Sequence, residues 1–407
     1  TDDGTEEGGV TQPPVVSVDR SSFVGNTAQA QLVGYVGGPF TGIGGGGAIL
    51  NVTGAMTITR SHFDGNAAIG GPGGPDAISG GAGFGGAILS GDVSPFGAAE
   101  SSLVVSKSTF VANTATGGSS AAADVPGGIA AGGAISVGNG SDAKLKHNTF
   151  DSNAAIGGAG GLDANGGIAT GGGVSGAGFA TLQLNRNKFL ENSAQGGSGG
   201  GGSGQDATGR GGGLGLDSIS LAGFAPGTAT TSSQSDSFLG NVAYGGIGGG
   251  IYNEGDLTLD KSKLNDNQAV GLPDVGIDFV AGYTFLGSAL GGGISNVGSL
   301  HMSDVNLKSN QAIGADGAIG QLVLVDGVAN YPGLAVGGGL HNLTEATIDS
   351  SHFVGNDALG GNYNFGSFAG AANGGGIYND GSLELSRGMI KHNRAVGGDN
   401  NVGDVNA

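Results

Sequence analysis

The chain has 407 residues, 94 of them glycine, with no cysteine, no tryptophan and a formal net charge of −19. The missing cysteine excludes disulfides, thiolate metal centres and cysteine nucleophiles; the charge argues against nucleic acid as a partner; and no apolar run is long enough to span a membrane. Glycine without a G-X-Y period excludes collagen, and regular apolar registers exclude plain disorder.

Residues 1–14, TDDGTEEGGVTQPP, read as an acidic arm closed by Pro13 and Pro14. A repeat then occupies residues 15–396, and a Gly- and Asn-rich tail follows over 397–407. The unit is cleanest from Gly248 to Asn267, GGGIYNEGDLTLDKSKLNDN. Its first piece is Gly-Gly-(Gly/Ala)-aliphatic. Its second alternates apolar and polar residues at strand period. Its third is F-x-x-N-x-A, with Leu or Ile allowed for the anchor Phe.

The third piece occurs ten times, with its Asn at Asn26, Asn66, Asn113, Asn153, Asn192, Asn241, Asn267, Asn310, Asn356 and Asn393. Ala stands two residues beyond each. The first piece occurs nine times, from Ile49 to Ile377. Five and seven residues before the anchor stand apolar pairs such as Val105 and Leu103. The sixth copy departs from this, with Ser233 and Thr231.

Repeats that cannot bury their own apolar face must stack. The predicted fold is therefore all-β: a right-handed parallel β-helix of about ten coils with Gly-rich loop insertions, each coil rising ~4.8 Å. Each repeat Asn is predicted at a turn. There it would tolerate left-handed backbone and pair its amide with the next Asn in a structural ladder.

Insertions fall at two fixed phases, after the Asn and after the aliphatic, where solenoids often carry their working face. Early loops are Gly- and Ala-rich, such as GGPGGPDAISGGAGF. Later loops carry Phe279, Tyr283 and Phe285, then Tyr331, then Tyr363, Phe365 and Phe368. These seven are predicted to form an apolar patch that meets another subunit or a ligand.

Asp recurs in the same loops. Asp76 and Asp163 close G-G-x-G-G-x-D, one residue longer than the calcium-binding nonapeptide of β-roll proteins. Stacked carboxylates favour Ca²⁺, which makes Asp76, Asp124 and Asp163 the candidate metal ligands; a turn role explains the same residues. No other cofactor is implied. Thirteen of the fourteen Lys and Arg lie within a fixed window around an anchor, Arg210 being the exception. Three residues before the anchor stand Arg20, Arg60, Lys107, His147 and Arg186, and later Lys261 and Arg387. This mostly basic column reads as a solvated surface, or as a face for an acidic ligand. The cations repeat with the coils instead of converging, and no nucleophile elbow, phosphate loop or metal-spaced His set occurs. No catalytic residue is predicted.

F-x-x-N alternating with G-G-A-I resembles the repeats of the chlamydial polymorphic membrane proteins and related bacterial surface β-helices. Phe23 to Asn26 followed by Gly46-Gly47-Ala48-Ile49 carries both motifs, as do Phe63 to Asn66 with Gly85-Gly86-Ala87-Ile88 and Phe110 to Asn113 with Gly132-Gly133-Ala134-Ile135. The resemblance spans residues 15–396. It implies an adhesive passenger-type β-helix at the cell surface or outside the cell, with surface glycans or a host receptor as partners. The residues themselves point to a non-enzymatic structural protein. Open strand edges with no predicted capping element would let copies join head to tail into a fibre. The alternatives are a polysaccharide-degrading lyase or glycosidase on the same fold and a calcium-dependent surface adhesin.

Overall fold

The computed structural model describes residues 14–31, 42–91, 100–201, 204–217, 227–277, 283–320 and 329–403. These residues contain no helix and form a right-handed parallel β-helix of ten coils. The third coil is representative. A five-residue strand, Ser102–Ser106, leads to Thr109–Val111 and Thr114–Thr116, then, after a loop, to Ala130–Ala131 and Ile135–Val137. Equivalent strands stack in parallel, giving three ten-stranded sheets and one nine-stranded sheet. Within Ser102–Ser106 the alternation buries Leu103 and Val105 and turns Ser102, Val104 and Ser106 outward. The register holds along the rod: Val18 pairs with Ile58, Ile58 with Val105, and Val105 with Leu145.

The corners explain why short strands can close a coil. Between the first and second strands one residue per coil is left-handed: Arg20, Arg60, Lys107, His147, Arg186, Ser235, Lys261, Asp304, Ser350 and Arg387, with φ between 46° and 58°. Each non-glycine residue there carries strain of ~1–2 kcal/mol, which the strand bonds on both sides offset. The corner before the Asn is also left-handed, at Ala112, Ser152 and Glu191 for example.

The core is built in columns. Phe23, Phe63, Phe110, Phe150, Phe189 and Phe238 stack with ring centroids 4.5–5.0 Å apart. Leu264, Leu307, Phe353 and Ile390 continue the column. Each fully buried Phe contributes roughly 1.5–3 kcal/mol relative to exposure. A second column is narrow: Ala115, Ala155 and Ala194 lie against Ala130 and Ala169. A Cβ on the facing Gly83 would stand 2.3 Å from the Thr116 carbonyl oxygen. Backbones meet there almost directly, which is why Ala recurs two residues after each Asn.

The early Gly-rich loops are ordered as a backbone array. The N–H groups of Gly71, Gly81, Gly118, Gly128, Gly158, Gly167, Gly197 and Ala207 donate in turn to the carbonyls of Gly42, Gly71, Gly81, Gly118, Gly128, Gly158, Gly167 and Gly197, at 2.7–2.9 Å. These bonds tie each loop's outgoing arm to its returning arm and on to the next coil. Adjacent residues bond up the rod, Gly117 to Ile156 and Gly127 to Asn165. Neighbours approach from several sides, so no side chain fits. A Cβ on Gly128 would stand 1.9 Å from the Gly81 oxygen, whereas one on Gly65, although φ is +59°, would meet nothing within 4 Å. Gly128→Ala should therefore lower stability by about 1–3 kcal/mol and expose the array's amides to hydrogen exchange. Gly65→Ala should add no such exchange, because Ala112 already occupies the equivalent corner with φ 51°. Equal behaviour of the two variants would show that the array is not close-packed.

The described part of the tail belongs to the last coil. Gly398 donates to Gly370 and Val402 to Asn364, so the stack does not stop at residue 396.

Candidate functional site

The ten repeat Asn residues form one continuous hydrogen-bonded column. In each step the backbone N–H and side-chain Nδ2 of one Asn both donate to Oδ1 of the next, as Asn113 does to Asn153 at 3.0 and 2.9 Å. Nδ2 also donates back to the anchor carbonyl of the preceding coil, Asn153 to Phe110 at 3.0 Å. Asn66 through Asn310 and Asn356 are fully buried. One expectation is corrected. The left-handed residue at this corner precedes the Asn, and none of the ten ladder Asn has positive φ. Asn is used for its two-sided amide and not for its backbone tolerance.

Two further ladders were not foreseen. Two residues before the anchor, the backbone N–H donates to the equivalent side chain one coil on: Ser61 to Ser108, Ser108 to Asn148, Asn148 to Asn187, Asn187 to Asp236, and Asp236 to Ser262. Small polar residues fill this position in eight of ten copies, a signal the sequence does carry. Asn253, Asn296, Asn342 and Asn379 form the other, each step at 2.7 Å. Asp236 is the charged member of the first. Burial pushes its carboxyl up to about 6, against the bonds it accepts from Asn187 and Ser233.

The basic column occupies the first left-handed corner and is exposed. At its ends the cations clasp carboxylates of the preceding coil, Arg60 with Asp19 at 2.8 Å and Arg387 with Asp349. These pairs remove part of the column's self-repulsion.

One site breaks the repetition of the coils. Coil 6 has the shortest loop, so Asp206 of coil 5 pairs directly with Val275 of coil 7. A cavity of about 220 Å³ lies there, lined by Asn165, Gln205, Asp206, Thr208, Arg210 and Ile277 among others. Arg210 Nη1 bonds Asp217 Oδ2 at 3.0 Å, Nε bonds Thr208 at 3.2 Å, and the guanidinium lies 5.3 Å from the Tyr252 ring centre. Thr170 also donates to Asp217 Oδ2, at 3.0 Å, and the Tyr252 hydroxyl reaches Glu254 at 3.4 Å. Burial raises the Asp217 carboxyl above the usual carboxylate range, with Arg210 pulling it down and Glu254 pushing it up. The guanidinium is committed to Asp217 and stays protonated in proteins, so it supplies no base. The cluster came together because Arg210 and Asp217 flank one Gly-Gly-Gly corner. Its sequence signal was that Arg210 alone among the Lys and Arg lies outside the window around the anchors.

The candidate calcium ligands Asp76, Asp124 and Asp163 are exposed, and Asp124 and Asp163 occupy left-handed turns. Among the described residues no three His, Asp or Glu groups converge to hold a metal ion. The aromatic positions divide. Phe285, Tyr331 and Phe368 stack through successive coils at 5.3 and 4.7 Å, the first two half-buried and Phe368 exposed. Phe365 instead pairs with Ile319 and Val402 in a second ladder, while Tyr363 stands exposed. Phe279 and the side chain of Tyr283 lie outside the described residues.

The first and last described coils expose apolar columns: Val15 and Val16 at one end, Leu385, Met389 and Ile390 at the other. The Asn ladder gives these ends opposite character. Among the described residues Asn393 leaves its backbone N–H and one amide hydrogen unpaired beside the Ile390 carbonyl. Among the same residues Asn26 leaves its Oδ1 and one amide hydrogen unpaired. Every other step of the ladder joins such groups. No family model, curated protein or solved structure matches the chain.

Proposed function

We propose that this protein is a non-enzymatic structural β-helix of the cell surface or extracellular space, whose copies join head to tail into a fibre. The observation that carries this reading is the polarity of the end coils. Donors at Asn393 match the Asn26 acceptor of a second copy, and an Asn26 amide matches the Ile390 carbonyl. The apolar columns fall in the same register, Val18 opposite Leu385 and Phe23 opposite Ile390. Such a heterologous contact does not close on itself and propagates. The stacked aromatics and the exposed Ile319, Phe365 and Val402 ladder add an apolar flank near the C-terminal end, suited to contact between fibres or with a receptor.

Electron microscopy of the purified full chain should show filaments of uniform width. Ile390→Lys should stop their growth with little change in melting, because Ile390 is 52% exposed in the last coil. A stable monomer at high concentration, its ends covered by other segments, would overturn the proposal. Release of reducing ends or unsaturated products from acidic or neutral polysaccharides would overturn the non-enzymatic part.

A further inference from the structure

We propose that the outer corner of coils 3 to 5 binds an acidic polysaccharide chain lying along the rod axis. Six of the fourteen Lys and Arg have a carboxylate partner: Arg20, Arg60, Arg210, Lys261, Arg387 and Arg394. The other eight have no ion pair among the described residues. Five of these eight, Lys107, Lys144, Lys146, Arg186 and Lys188, fall within three successive coils.

The strand register fixes how they sit. Lys146 pairs with Ser106 on one side and Asn185 on the other. The next residue along each strand end is a corner residue, so Lys107, His147 and Arg186 stand on consecutive rungs, ~4.8 Å apart. Lys144 and Lys188 flank them on the first and second sheets. All six side chains are exposed. The His147 imidazole is held below its usual value by desolvation and by the charges of Lys146, Arg186 and Lys107, which places those three around it. The carboxylates of these coils lie to the sides: Asp142 at the start of the Lys144 strand, Asp151, which accepts from Ser152, and Glu191 at the left-handed corner after the Lys188 strand. Asp19 of the preceding coil answers the corner cation of coil 2; at the corners of Lys107, His147 and Arg186 the equivalent places are held by Thr59, Ser106 and Lys146, none of them a carboxylate.

Like charges one rung apart repel by roughly 1 kcal/mol each in water. A chain of net charge −19 that keeps such a run unbalanced has a surface that a bound polyanion would relieve. The surface is a ridge, not a pocket, so the ligand must be extended. One cation per rung suits a polymer with about one anion per residue at comparable spacing, as in uronate or sulfated glycans. Single-stranded nucleic acid is held by stacking on aromatic side chains, and the outward residues here are Val104, Gln183, Thr109 and Thr149. Duplex DNA would carry its denser charge into the field of the whole acidic rod. The proposal is independent of end-to-end joining.

The test is binding of the full chain to labelled polygalacturonate and heparin at low and high ionic strength. Binding is expected at low salt and lost at high salt. Lys107→Gln, Lys146→Gln and Arg186→Gln combined should weaken it about tenfold, three screened pairs together supplying the difference. Lys263→Gln, Lys308→Gln and Lys391→Gln combined change net charge equally and should leave binding in place. Three outcomes overturn the proposal: no binding by the unmodified protein, equal loss in both triple variants, or equal affinity for neutral dextran or single-stranded DNA.

Discussion

Asn153→Ala is expected to lower the stability of the rod by about 3–5 kcal/mol. The side chain joins three coils. Its Oδ1 accepts the Asn113 backbone and side-chain N–H, and its Nδ2 donates to the Phe110 carbonyl and to Asn192 Oδ1. Removing it strands several groups in a fully buried corner, and each unsatisfied buried group costs ~1–3 kcal/mol, partly relieved by relaxation. In a solenoid each coil is held chiefly by its neighbours. Loss at coil 4 should therefore uncouple coils 1–3 from coils 5–10 and split one melting transition into two. Asn185→Ala is the control. Asn185 bonds Gln234 on the exposed face and should shift stability by no more than ~0.5 kcal/mol. If Asn153→Ala melts with the unmodified protein, the ladder does not stabilise the rod.

The fold was legible because period and offset repeat. Leu103 and Val105 recur at fixed distances from Phe110, and stacking is the way for such copies to bury a shared face. The fate of the early loops was not legible, since glycine carries no side chain whose pattern could announce a partner. Gly118 and Gly128 find each other by backbone alone. The corner strain was misassigned for a related reason. Asn153 tolerates left-handed backbone, but Ser152 before it takes that conformation with φ 56°, which leaves the amide free to face two coils. Arg210 and Asp217 were missed because their meeting depends on a corner's geometry and on the short loop of coil 6.

Coil 6 is also where the interior turns polar, and this sets the second large effect. Asp236→Asn should raise stability at pH 7 by about 2–3 kcal/mol. Asp236 is almost wholly buried; its Oδ1 accepts from the Asn187 backbone and side chain, and its Oδ2 accepts from Ser233. No cation faces it in these contacts, so its burial favours the neutral acid and moves the carboxyl from 3.8 up to about 6. A carboxyl raised on folding binds its proton more tightly in the folded state. Its contribution is therefore intact below about pH 4 and is lost as pH rises through about 6, two units being worth roughly 2–3 kcal/mol. Asn supplies the same acceptor without the charge. At the equivalent positions Asn148 and Asn187 donate Nδ2 to the carbonyls of Val105 and Leu145, and the register offers Leu184 for the same purpose at coil 6. The Ser233 hydroxyl retains Ser262 as a partner at 3.3 Å. Denaturant unfolding of the two proteins from pH 4 to 8 isolates this group, because Asp217 and the other carboxyls cancel in the difference. The gain should be small at pH 4 and reach its full value by pH 7. A difference that stays flat with pH would mean that the Asp236 carboxyl does not titrate between those limits.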